Sequence, residues 1–160
     1  MVTTTTMNDV RWLDADQQRD WRSYLLGTAR LADALNRQLE EAEEISLSEY
    51  EILVRLSESA DRTIRMSELA AAVMQSRSRI THTVTRMERR GLVRRETCAA
   101  DGRGVNCVLT DDGYALLVRA APGHVEAVRE HLVDLLTPEQ FRALGSAMAR
   151  VAEGPRPSTS

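Results

Sequence analysis

The chain has 160 residues, a length that suits one compact domain or a small subunit whose core a partner completes, and that is too short for a large α/β enzyme. With 42% hydrophobic, 28% charged and 4% aromatic residues it has the composition of a folded globular protein, and no apolar run reaches bilayer length, which excludes a spanning helix. The net charge of −3 hides a strong asymmetry: from Arg62 to Arg103 ten arginines stand against Glu68, Glu88, Glu96 and Asp101, giving +6 and leaving −9 on the remainder. Such a split marks an electrostatic footprint confined to one part of a fold.

Residues 1–10 (MVTTTTMNDV) are Thr-rich without hydrophobic periodicity, and 154–160 (GPRPSTS) is a Pro/Ser stretch; both read as disordered tails. No basic region followed by an apolar stretch opens the chain, so a cytoplasmic location is expected. Asp14, with Gln17 three residues on, starts a long helix carrying Trp21, Tyr24, Leu25, Leu31, Leu35 and Leu39 at helical spacing. Ser46 and Glu49 form the capping box of a second helix, with Ile52, Leu53 and Leu56 inward, and a third helix is expected from about Met66 to Met74.

Ser76 caps a fourth helix that runs to Arg90 and stops at Gly91. The segment LVRRETCAADGRGVNCVLT then reads as a β-hairpin, with β-branched residues on both sides of a DGRG turn. Thr110 caps a fifth helix, expected to break near Pro122-Gly123. Thr137-Pro138-Glu139-Gln140 opens a sixth with an N-cap, a first-turn proline and a capping glutamine.

The chemistry concentrates on the fourth helix. At about 100° per residue, Ile80, Val84 and Met87 share one face, and the opposite face presents Ser78, His82, Thr85 and Arg89 with Arg79 and Arg86 beside it. Small hydroxyls, an imidazole and guanidiniums suit base edges and phosphates in a DNA major groove. Arg77 and Arg79 occupy the first turn, beside Ser76, where the helix dipole disfavours cations unless an anion is near. Arg94 and Arg95 lie on the first hairpin strand, and Arg103 at the tip is placed to reach a minor groove, with Asp101 next to Arg95 to hold the turn.

The succession SELAAAV, SRSRITHTVTRMERRGLVRR, the DGR tip and LTDDG resembles the MarR/SlyA family of winged-helix transcription regulators over roughly residues 14–152. The resemblance implies a mainly α fold with a small β-hairpin wing: a winged helix-turn-helix DNA-binding lobe at 46–110, with its recognition helix at about 76–90 and its wing at about 92–109. Helices from 11–45 and 111–153 would form the dimerisation region. It implies a homodimer that binds a pseudo-palindromic double-stranded operator as a repressor, with Arg103 as the minor-groove arginine and Asp101 as its stabiliser. Many relatives carry arginine where this chain has His82. The family also binds small amphipathic or phenolic ligands between the lobes, for which Trp12, Trp21, Tyr24 and Tyr50 are available.

Two other readings stay open. An effector-binding or protein-interaction module could keep this fold without DNA recognition. Alternatively, Cys98 and Cys107 would face each other across the hairpin if its turn centred on Gly102-Arg103, which would allow a redox-sensing disulfide. His124 and His131 share a helix face but lie about 10 Å apart along the axis, too far for one ion, so no metal is expected. Neither a cofactor nor an enzymatic activity is expected, since no nucleophile elbow, phosphate loop or zinc-protease motif occurs.

Overall fold

The computed structural model describes residues 10–97 and 104–154. Most of both expected tails, together with Cys98, Asp101 and Arg103, lie outside those residues. The elements are α1 (Ala15–Glu43), α2 (Leu47–Glu58), β1 (Thr63–Arg65), α3 (Met66–Ala72), α4 (Arg77–Arg89), β2 (Val93–Thr97), β3 (Val105–Leu109), α5 (Asp111–His131) and α6 (Pro138–Glu153).

Side-chain caps set most helix starts. Asp14 accepts the Gln17 N–H at 2.8 Å while Gln17 accepts the Asp14 N–H at 3.1 Å, and reciprocal boxes join Ser46 to Glu49 and Thr137 to Gln140. Ser76 Oγ accepts the Arg79 N–H at the head of α4. Gly91, with φ of +73°, turns the chain out of that helix in a conformation costly for other residues. α3 stops at Ala72, two residues early, because Met74 sits at φ +51°, outside the helical region.

The sequence LTDDG acquires a physical meaning at the start of α5. Thr110 Oγ1 donates to the Gly91 carbonyl at 2.6 Å and accepts the Gly113 N–H at 3.0 Å, so one hydroxyl ties α5 to the end of α4. Gly113 packs so tightly on the Leu92 carbonyl oxygen that a Cβ there would overlap it.

The expected break near Pro122 does not occur: α5 continues through the proline to His131. Proline at this position frees the Val118 carbonyl four residues back. Val118 is on the exposed face, where water can satisfy that carbonyl. Ala120 and Ala127 lie on the buried face of a helix that packs against α1 and α2.

The hairpin is joined by a strand that periodicity did not reveal. β1 has three residues, and the antiparallel sheet runs β1-β3-β2. In the β2–β3 ladder Val93 faces Leu109 and Thr97 faces Val105, which puts Arg95, not Cys98, opposite Cys107. On its other side Cys107 faces Ile64. The cross-hairpin register expected for the two cysteines is therefore not the one that the described strands form, and Cys98 itself lies outside the described residues.

Leu39, Ile45, Ile52, Leu53, Leu56, Leu69, Ile80, Val84, Met87, Val93 and Cys107 are buried to within 2% of full enclosure. They fuse the C-terminal end of α1, helices α2 to α4 and the sheet into one core. The two ends of the chain differ. α6 has no buried residue, and Trp21, Leu25 and Leu26 on α1, Val118 and Val125 on α5, and Phe141 and Val151 on α6 are exposed.

Candidate nucleic-acid interface

The orientation of α4 follows from its apolar side. Ile80, Val84 and Met87 sink into the core, so Ser78, Arg79, His82, Arg86 and Arg89 are exposed on the outer side and Thr85 is half-buried at its edge. The expected surface is thus assembled on one helix. Two hydroxyls already hold a backbone partner: Thr81 Oγ1 donates to the Arg77 carbonyl at 2.7 Å and Thr85 Oγ1 to the Thr81 carbonyl at 2.8 Å. Both keep lone pairs as acceptors. Arg77 and Arg79 stand in a first helical turn without an acidic residue, an arrangement that favours an incoming anion.

Arg86 has a second task that sequence reasoning missed. Its Nε donates to Glu49 Oε1 at 2.9 Å, and Glu49, on α2, is only 3% exposed. The other Glu49 oxygen accepts the Ser46 N–H at 2.8 Å and the Ser46 hydroxyl at 3.1 Å. Burial alone would raise the Glu49 pKa, but the Ser46 amide and the Arg86 guanidinium together hold it below the usual carboxylate range. A cleft of about 530 Å³ beside this pair is lined by Ser46, Ser48, Ser78, Arg79, His82 and Arg86.

Asp101, the partner expected for Arg95, lies outside the described residues. The Arg95 guanidinium grips Glu88 of α4, through Nε at 3.0 Å and a terminal nitrogen at 2.7 Å, while its own N–H donates to the same carboxylate at 2.9 Å. Glu88 lies directly across from β2, so the pair fastens the hairpin to the helix, and Arg95 holds the Glu88 pKa low. Arg94 pairs with Glu96 at 2.6 Å on the exposed side of the strand. Arg62 stacks 3.9 Å over the Tyr114 ring and reaches Asp111 at 3.2 Å, pinning the approach to β1 against α5. Arg65 of β1 enters the basic region too; only its place in the arginine count hinted at this.

The aromatic candidates do not converge. Trp12 is 73% exposed, and Trp21 stacks on Tyr24 at 5.7 Å on the outside of α1. Tyr50 is buried on α2 with its ring 4.3 Å from that of His124 on α5. Burial lowers the His124 pKa and raises that of Tyr50. His124 Nδ1 and Gln38 Oε1 are buried there without a hydrogen-bond partner. The Cys107 thiol is pushed up to about 12, chiefly by burial, then by the Glu88 charge, which keeps it a thiol at neutral pH. Among the described residues no cluster of three His, Cys, Asp or Glu side chains could hold a metal, and no helix is long and apolar enough to cross a membrane.

Comparison with known proteins places this geometry. A family profile described as MarR family matches residues 45–105. A MarR family transcriptional regulator from Streptomyces coelicolor, solved in complex with DNA, is 49% identical with a TM-score of 0.89, covering 93% of each chain. AbsC, a MarR family transcriptional regulator from the same organism, is 44% identical with a TM-score of 0.85, covering 90% of this chain and 97% of its own. The HTH-type transcriptional regulator PecS of Dickeya dadantii is 35% identical over 111 residues, which span 67% of this chain and 64% of PecS.

Proposed function

The chain belongs to the MarR family of transcriptional regulators, and on that premise we propose that it is a cytoplasmic, homodimeric repressor that binds a pseudo-palindromic DNA operator. The outer face of α4 carries this reading: Ser78, Arg79, His82 and Arg89 point away from a helix fixed by Ile80, Val84 and Met87. The relative solved with DNA supports it. In this reading 46–110 is the DNA-binding lobe, α4 enters the major groove, and Arg103 at the hairpin tip reaches the minor groove. Two copies, joined through α1, α5 and α6, set their recognition helices about 34 Å apart, one helical turn of DNA.

Relief of repression by a small amphipathic or phenolic molecule belongs to the same proposal. Its support is the junction of α1, α2 and α5, where Gln38 and His124 keep buried polar atoms without a partner beside Tyr50. The redox reading finds no support among the described residues, where Cys107 is buried with its thiol pKa raised; Cys98 lies outside them.

The test is a fluorescence-anisotropy titration of the full chain against duplex from upstream of its own gene, repeated across a salt series. Arginine–phosphate contacts release counterions, so log K falls linearly with log salt. A flat salt response, or no binding at low salt with the dimer intact, favours a protein-interaction module instead.

A further inference from the structure

We propose that Thr81 and Thr85 read thymine through their methyl groups, so that each operator half-site presents thymines to that flank of α4; the inference rests on the DNA-binding reading above. The two flanks of α4 are unlike. At about 100° per residue, Arg79 and Arg86 lie toward α2, where both line a cleft with Ser46 and Ser48. Thr81 and Thr85 lie on the other flank, one turn apart, and Thr81 shares a cleft with Val105 of β3. Thr81 is exposed and Thr85 half-buried.

The hydroxyl protons of both residues are already committed. Thr81 Oγ1 donates to the Arg77 carbonyl at 2.7 Å and Thr85 Oγ1 to the Thr81 carbonyl at 2.8 Å, and a hydroxyl has only one proton to give. Neither can then donate to guanine N7 and O6, adenine N7 or thymine O4, the acceptors of the major groove. The same bonds fix the side-chain torsions. With Oγ1 drawn back to the preceding turn, the γ-methyl is the group left to project toward a base. Its match on a base edge is the C5-methyl of thymine. Residues four apart on a helix are separated by about 6 Å, so the two methyls address thymines at most two base-pair steps of about 3.4 Å apart.

The experiment titrates the full chain by fluorescence anisotropy against the duplex from upstream of its gene, amplified either with thymidine or with deoxyuridine, which lacks only the C5-methyl. A scrambled duplex prepared both ways sets the baseline. The thymine duplex should bind more tightly by about fourfold per methyl contact, hence by about fifteenfold for a dimer with one contact in each half-site, with no difference on the scrambled pair. Thr81→Ser and Thr85→Ser, which keep the hydroxyl and lose the methyl, should each reduce this preference, and the double Ser variant should abolish it. Thr85→Val, which keeps a methyl and loses the hydroxyl, should retain it. The reverse pattern, in which Val loses affinity and Ser keeps it, overturns the proposal in favour of hydrogen bonding by the hydroxyl. Equal binding of the thymine and uracil duplexes, an equal preference on the scrambled pair, or a preference untouched by both Ser substitutions overturns it while leaving the regulator reading intact. Failure of the unsubstituted protein to bind either upstream duplex at low salt, with the dimer intact, overturns both.

Discussion

Glu49 connects two jobs through two partners, Ser46 and Arg86. As the third residue of α2 it closes the capping box with Ser46, and as a buried carboxylate it orients Arg86 on α4. Its first role was legible from the S-x-x-E spacing; its second was not, because a contact across 37 positions leaves no local pattern. Arg86 is more than half exposed, so removing Glu49 strands no buried charge, and Glu49→Gln costs about 1–2 kcal/mol, between a lost cap and a lost half-exposed ion pair. The sign with pH follows from the lowered Glu49 pKa. Its stabilisation is fully present above the unfolded value of 4.5 and is lost as pH falls through the folded value. Urea midpoints measured downward from pH 5 should therefore fall less steeply in Glu49→Gln than in the native sequence, and parallel curves would contradict the assignment.

At the level of elements, the starts of helices were more legible than their interiors or the strands. N-caps at Asp14, Ser46, Ser76, Thr110 and Thr137 all form, since a cap is a contact within three residues and needs no tertiary information. The uninterrupted α5 was missed for the converse reason: whether Pro122 breaks a helix depends on what the freed carbonyl meets, and that is decided by which face is exposed. β1 is too short to show alternation and is held by β3, some forty residues away. The hairpin was visible from composition, whereas its register hinged on where the turn closes. Because Pro122 is exposed and its helix is intact, Pro122→Ala restores one backbone hydrogen bond. It should raise stability by about 1–2 kcal/mol, less than the full interior proline penalty because the unfolded chain regains freedom. A thermal melt checks the direction, and a lower midpoint would mean that the proline is already fully accommodated.

Across the whole molecule, charge and apolar surface divide the labour. The basic stretch forms α4 and the sheet, which face outward from a complete core, while the acidic ends place exposed Trp21, Leu25, Leu26, Phe141 and Val151 on helices that lack a cover in one copy. Exposed apolar side chains on this scale mark an interface, which the proposed homodimer gives to a second copy. Phe141→Glu should shift the protein to monomers in sedimentation velocity and abolish operator binding, since both half-sites must be engaged together. A dimeric Phe141→Glu protein would move the interface elsewhere. The sequence showed the apolar excess at both ends but not which side chains remain uncovered after the core is filled; that depends on how α1 and α5 pack against each other.

The lack of any buried residue in α6 has a consequence for abundance. A helix that encloses nothing within its own chain draws little stability from it, because most helical stability comes from packing. In the proposed dimer its order is then subject to mass action, with the partner copy acting as the stabilising ligand. When the protein is scarce, newly made chains carry a loosely held C-terminal segment open to proteolysis, and once copies accumulate they shield one another. Removal of the regulator from its operators would thus grow sharper than linear as synthesis slows, a threshold set by the thermodynamics of association before any inducer is bound.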